Sequence, residues 1–445
     1  MRPFRSRQNF IAVGIILFTA SLTFLLFGTR TGTSVAQHVA DVAKHPLGIL
    51  KGDEPKRPPH PIYKPTPTYT PPPVKDPFPL LVSSTPPPIP QPNVPEENLH
   101  KNYGLKLAPP LLIGFTRSWP LLLQCVVSYI TAGWPPDMIY VVENTGVQMS
   151  NAKGLLSLQH PFYLNHTSLK RLGVNVIQTP VLLTFAQLQN FYLSLASQND
   201  WPFYFWSHMD VFVLSYEDGW EEGPKVGEPG YKTIYELACM AVNHTITTDS
   251  RWAMRLLAYD HLTLINPAAF DEVGGWDTLI PYYMTDCDMY TRLMMANLSQ
   301  HAMKVGVIAD VATTLDDLLA LYRDPSVQPS WSDPNPPPPE SKENGKRKRD
   351  LSDPLEYWRV LQDISTQMYH YKHGDRGRNT WQKGQRGGWG EPYYYDAEGF
   401  AEALEIITEA GREVFRRKWG HRDCDLIAGA GLALGDQWRV EKDWD

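Results

Sequence analysis

The chain has 445 residues, 42% of them hydrophobic and 12% aromatic, which is ample for a sizeable core. Its 40 prolines are concentrated in segments that cannot pack, pointing to one large folded domain rather than two or three. A formal net charge of -7 at pH 7 gives no electrostatic reason to expect nucleic acid as a partner, and four scattered cysteines exclude a disulfide-dense scaffold without revealing their pairing.

Residues 1–9 carry Arg2, Arg5 and Arg7 ahead of an uncharged apolar run over 10–27, about the minimum length that spans a bilayer as a helix. The positive-inside rule holds the short tail in the cytosol and sends the rest of the chain across. The expectation is a single-pass type II protein of the Golgi or ER membrane, anchored by 10–28 with its folded part lumenal. A cleaved signal peptide ending near Ser34-Val35-Ala36 is the competing reading. Asn165, Asn243 and Asn297 open N-glycosylation sequons that fit a secretory location.

Residues 29–110 are rich in Pro with Lys, Thr and Glu, a composition that favours extended polyproline conformations, and read as a stem. From residue 111 short apolar runs alternate with helical stretches, the signature of an α/β fold around a parallel sheet. Strands are expected at 111–115, 138–142, 174–177 and 203–206, with helices over about 121–132 and 185–197. This catalytic domain runs over 111–323, is interrupted by a Pro-rich and then basic solvated insertion at 324–353, and resumes over 354–445 with helices near 354–372 and 400–418.

His208-Met209-Asp210 directly follows the expected strand at 203–206, at the sheet edge where α/β folds gather ligands. Carboxylate and imidazole suit Mn²⁺ or Mg²⁺, ions able to neutralise a diphosphate leaving group. A capping or core-edge polar pair is the plainer reading of the same residues. Further along come Gly274-Gly275-Trp276-Asp277 and then Thr285-Asp286-Cys287-Asp288, followed by Arg292-Leu293. Asp286 and Asp288 read either as reactive carboxylates or as caps of a helix N-terminus.

His208-Met209-Asp210 resembles the DxD motif of GT-A glycosyltransferases, with His208 in place of the first acid. The stretch from Ile265 to Leu293 resembles the acceptor side of family 2-like inverting enzymes, with Thr285 replacing the Glu of their Glu-Asp pair. His373-Gly-Asp-Arg-Gly-Arg-Asn379 resembles the segment of animal galactosyltransferases in which a His completes the metal shell and a basic loop closes over the donor. The resemblance implies a Rossmann-like nucleotide-diphospho-sugar transferase fold, a mixed sheet flanked by helices. It also implies Asp286 as the catalytic base, with Trp276, Asp277 and Asp288 on the acceptor. Thr116, Arg117, Glu143, Asp210, Gly275 and Arg376 would contact the donor, and His208, Asp210 and His373 would hold Mn²⁺ (or Mg²⁺). Lys418-Trp419-Gly420 resembles a common family ending without an assigned role. The activity implied is hexosyl transfer from a nucleotide sugar, UDP-linked, to a glycan or glycoconjugate hydroxyl with inversion. A catalytically inactive glycan-binding or scaffold protein on the same fold is the alternative.

Overall fold

Leu111-Leu112-Ile113-Gly114-Phe115 forms the first strand, β1 (Leu111–Phe115), and is covered on both faces. Such continuous apolar runs belong to the interior of a parallel sheet. It lies between β2 (Ile139–Glu143) and β4 (Tyr204–Ser207), parallel to both, while β3 (Asn175–Gln178) extends the parallel array beyond β2. On the other side β7 (Leu262–Ile265) runs antiparallel to β4 and to β6 (Trp252–Leu257), and β8 (Ser299–Met303) closes the edge parallel to β6. The seven strands stand in the order β3-β2-β1-β4-β7-β6-β8. A second, two-stranded sheet pairs β5 (Val211–Leu214) with β9 (Val307–Asp310). The fold is therefore α/β with a mixed, parallel-rich sheet. The structure, a computed structural model, describes residues 60–65, 72–334, 351–374, 382, 387–392 and 397–444.

Alternation along the strands divides the core. Leu111, Ile113 and Phe115 join one apolar cluster with α1 (Trp119–Thr131), α5 (Ile234–Thr248) and α8 (Pro354–His373), whereas Leu112 joins another with α4 (Phe185–Gln198). That second layer also holds residues of α6 (Pro267–Glu272) and α7 (Thr285–Met295). Gly114 shows how closely α4 lies on β1: a Cβ there would stand 2.4 Å from Tyr192 Oη and 2.9 Å from Leu188 Cδ2. Two short helices, α2 (Gln148–Ala152) and α3 (His166–Arg171), fill connections, and α9 (Ala397–Trp419) packs its end near α7.

The expected stem boundary moves. Phe78, Leu81, Leu99 and Leu105 are buried in the first cluster, so the chain joins the core well before residue 111. Apolar side chains between the prolines drive this, because their burial outweighs the extended preference of the backbone. The chain divides into an N-terminal unit, Met1–Thr70, and the unit carrying all the elements above, Pro71–Asp445. The proposed anchor at 10–28 and residues 335–350 of the insertion lie outside the described residues. Among the described residues no helix is long and apolar enough to cross a membrane.

Candidate active site

Because β4 ends at Ser207 and β5 begins at Val211, His208 and Asp210 sit at the junction of the two sheets. Register does the rest: Val211 stands opposite Asp310, and Val311 N–H donates to Asp210 O at 2.8 Å, which sets the two carboxylates side by side. The last turn of α8 adds Lys372 and His373. Lys372 Nζ donates to Asp210 Oδ2 at 2.6 Å and to Asp310 Oδ1 at 2.5 Å, and its side chain is only 7% exposed. His373 Nε2 lies 2.9 Å from Asp310 Oδ2, its ring stacked on Tyr369. The β6–β7 hairpin supplies Asp260 and His261 through a turn in which Ala258 and Tyr259 both have positive φ, 65° and 54°. Non-glycine residues held there store about 1–2 kcal/mol each, and such strain gathers at functional sites.

His208 links these groups. Its ring stacks on Trp206, with Nδ1 3.7 Å from Asp210 Oδ1 and Nε2 3.8 Å from Asp260 Oδ1. These are ion-pair distances, beyond ordinary hydrogen bonds. Burial lowers the His208 pKa, but Asp210 and Asp260 outweigh it and the net shift is upward. Burial alone would raise Asp210, yet the Lys372 ammonium and His208 hold it well below the usual carboxylate range. His261 Nε2 is 3.7 Å from Asp310 Oδ2, and burial pulls its pKa down.

His208, Asp210 and Asp310 each offer one ligand atom within 4.8 Å of the others, and the two hard carboxylate oxygens match the preference of Mn²⁺ or Mg²⁺. The oxygens facing the imidazoles, Asp210 Oδ1 and Asp310 Oδ2, are not those bound by Lys372. The residues therefore fit a divalent ion with Lys372 behind it. An ammonium bound to the same two carboxylates would repel a dication held there, so the two would weaken one another. The sequence pointed to His208, Asp210 and His373 as ligands, whereas the group able to hold an ion is His208, Asp210 and Asp310, with His373 set against Asp310; Asp260, His261, Asp310 and Lys372 were not foreseen. Asp310 ends a strand, the same signal that singled out Asp210.

Asp286 stands in the first turn of α7, where backbone amides and the helix dipole favour a carboxylate. Burial is nevertheless the largest influence, and with the nearby Asp260 charge it raises the Asp286 pKa against the Asp286 and Cys287 amides. Asp286 is thus in electrostatic reach of Asp260, and Asp260 of His208.

The other expected contacts sit differently. Asp288 is 1% exposed: its Oδ2 accepts from Arg292 Nε at 2.8 Å, and its Oδ1 from Trp419 Nε1 at 2.9 Å and Lys418 Nζ at 2.6 Å. Lys418 also donates to Asp277 at 2.7 Å. Both aspartates thus clamp the C-terminal helix, which gives Lys418-Trp419 its role and leaves Asp288 no surface for an acceptor. Cys287–Cys424 ties the same two segments covalently, while Cys125 and Cys239 are free and buried. Trp276 is buried among Phe185, Phe270 and Tyr290, a core position rather than a sugar platform. Gly275, at φ 70°, does permit a close approach, but to Asn190, whose Oδ1 would lie 2.9 Å from a Cβ.

Glu143 ends β2 as expected, yet it is fully buried and takes hydrogen bonds from Asn151 at 2.8 Å and Gln178 at 2.8 Å, with His166 Nε2 2.8 Å away. Burial would raise its pKa; those three partners lower it instead. Its oxygens are committed to the protein, with no exposed face for a base or ribose. Thr116 and Arg117 follow β1 directly. The buried Arg117 guanidinium lies 4.4 Å from the Phe400 ring centre, and burial lowers its pKa to about 10. Arg376 lies outside the described residues.

No protein-family model matches the chain, and no curated protein matches it. Among solved structures, a mannosyltransferase from Pyrobaculum calidifontis in complex with GDP-Man and Mn²⁺ aligns over 70% of this chain and 91% of its own, at 10% identity and a TM-score of 0.31. A cytidylyltransferase from Leptospira borgpetersenii serovar Hardjo-bovis aligns over 59% of this chain and 97% of its own, at 8% identity and a TM-score of 0.30. Overlaps this loose leave the chemistry to be read from the site.

Proposed function

We propose that the chain is a glycosyltransferase that moves a sugar from a nucleotide-sugar donor, UDP-linked, to a hydroxyl of a glycan or glycoconjugate, with inversion. The observation that carries the reading is the His208–Asp210–Asp310–Lys372 cluster at the carboxyl end of β4, with Asp260 3.8 Å from His208 and its charge felt by Asp286. Asp286 takes the proton from the acceptor hydroxyl as its oxygen bonds to the sugar carbon, and the bond from that carbon to the diphosphate breaks on the opposite face. A raised pKa makes Asp286 a stronger base than an ordinary surface carboxylate. Mn²⁺ or Mg²⁺ on His208, Asp210 and Asp310 would supply positive charge for the departing diphosphate. His373 holds Asp310 through its 2.9 Å contact. We assign the folded part to the lumen of the Golgi or ER behind an anchor at 10–28, a reading that the Cys287–Cys424 bridge supports because such bridges persist in oxidising compartments.

The test is turnover of a nucleotide-sugar panel by the full chain, in which Asp286→Asn should lower turnover about a hundredfold or more while nucleotide affinity stays near wild type. The acid limb of the wild-type pH profile should lie above the ordinary carboxylate value of 3.8, because Asp286 must be ionised to act. A chain that neither binds nor turns over any nucleotide sugar is a glycan-binding or scaffold protein instead. A product with the donor's own anomeric configuration would exclude inversion.

A further inference from the structure

Lys372 is the buried group that the proposed reaction leaves unexplained. An ammonium has three donors, and here two are spent on Asp210 Oδ2 and Asp310 Oδ1 at 2.6 and 2.5 Å. Burial disfavours its charge, yet two carboxylates on either side keep it ionised. The same carboxylates are two of the three groups able to hold a divalent ion. Lys372 therefore does two opposing things. It orients both carboxylates so that their other oxygens face His208, His261 and His373, and it places a positive charge beside any ion bound there. Loss of an orienting partner typically costs 10–100-fold in metal affinity. The Coulomb repulsion between a dication and an ammonium across one carboxylate is the larger effect.

We propose that Lys372 sets the cation affinity of this site: its charge keeps the bare Asp210–Asp310 pair a weak ligand for a divalent ion. The inference rests on the reading of the cluster as the cation site of a sugar transferase. It makes Lys372 a positioning residue that acts through Asp210 and Asp310.

The experiment is a titration of Mn²⁺ alone into the full chain, followed by the electron paramagnetic resonance signal of free Mn²⁺. Wild type should bind weakly, and Lys372→Gln, which keeps amide donors near the carboxylates without the charge, should bind one equivalent at least about tenfold more tightly. Adding Asp310→Asn should abolish that gain, and Lys372→Arg, which restores the charge, should return affinity to the wild-type level. A Lys that merely packs would not show rescue by Arg together with a gain on neutralisation. Equal or weaker binding by Lys372→Gln overturns the proposal. So does tight stoichiometric binding by wild type, a measurement that needs no variant to fold. If neither protein binds Mn²⁺, the inference falls with the cation site, whereas sugar turnover that persists in EDTA leaves the transferase reading standing.

Discussion

Asp288 separates a structural from a catalytic reading of the Asp286-Cys287-Asp288 stretch. Replacing it with Ala leaves Arg292 and Lys418, 4% and 3% exposed, without their shared carboxylate, and orphans the Trp419 indole N–H. Removing one partner from a buried ion pair costs about 3–5 kcal/mol. Both cations retain other acceptors: Arg292 reaches Val273 O and Gly275 O at 2.7 and 2.8 Å, and Lys418 keeps Asp277. That compensation places the pair loss near the low end, about 3 kcal/mol, with about 1 kcal/mol more for the unpaired indole. Such a loss is a large share of a typical domain's stability. Urea unfolding followed by tryptophan fluorescence should show a clearly lower midpoint for Asp288→Ala, and a cycle with Trp419→Phe should show coupling between the two positions. Asp286→Asn should leave the midpoint almost unchanged. An unchanged midpoint for Asp288→Ala with a raised acceptor KM would refute the clamp and return Asp288 to the acceptor.

Cys287–Cys424 closes a separation of 137 residues, so Cys424→Ser should cost about 2–4 kcal/mol, visible as a fall in Tm of the unreduced protein that dithiothreitol reproduces in wild type. Glu143 has a folded pKa below its ordinary 4.5, so it contributes stability above that value that is lost as pH falls below it. Glu143→Gln should flatten the acid side of the stability–pH curve, measured by urea midpoints; an identical slope would show that the His166 and Gln178 contacts carry no net energy.

The strands at the head of the domain were legible in the residues because continuous apolar runs have few other places to go. β1 spans the expected 111–115, and β2, β3 and β4 begin within one residue of expectation. Position after a strand also sufficed to single out His208 and Asp210. What the sequence could not reveal depends on partners distant along the chain. Asp310 reaches Asp210 through antiparallel register between β5 and β9, and Lys372 comes from a helix 162 residues beyond Asp210. Burial and ion pairing reassigned the rest. Asp277, Asp288, Trp276 and Glu143 have the residue types of a sugar site, but their side chains are consumed by Lys418, Arg292, Phe185 and Asn151. Local patterning determines which segments become strands and helices and which residues stand at their ends, because period and side-chain shape act over a few positions. Only packing decides whether a carboxylate at such an end faces solvent, a cation or another strand, since that depends on charges and surfaces brought together from across the chain.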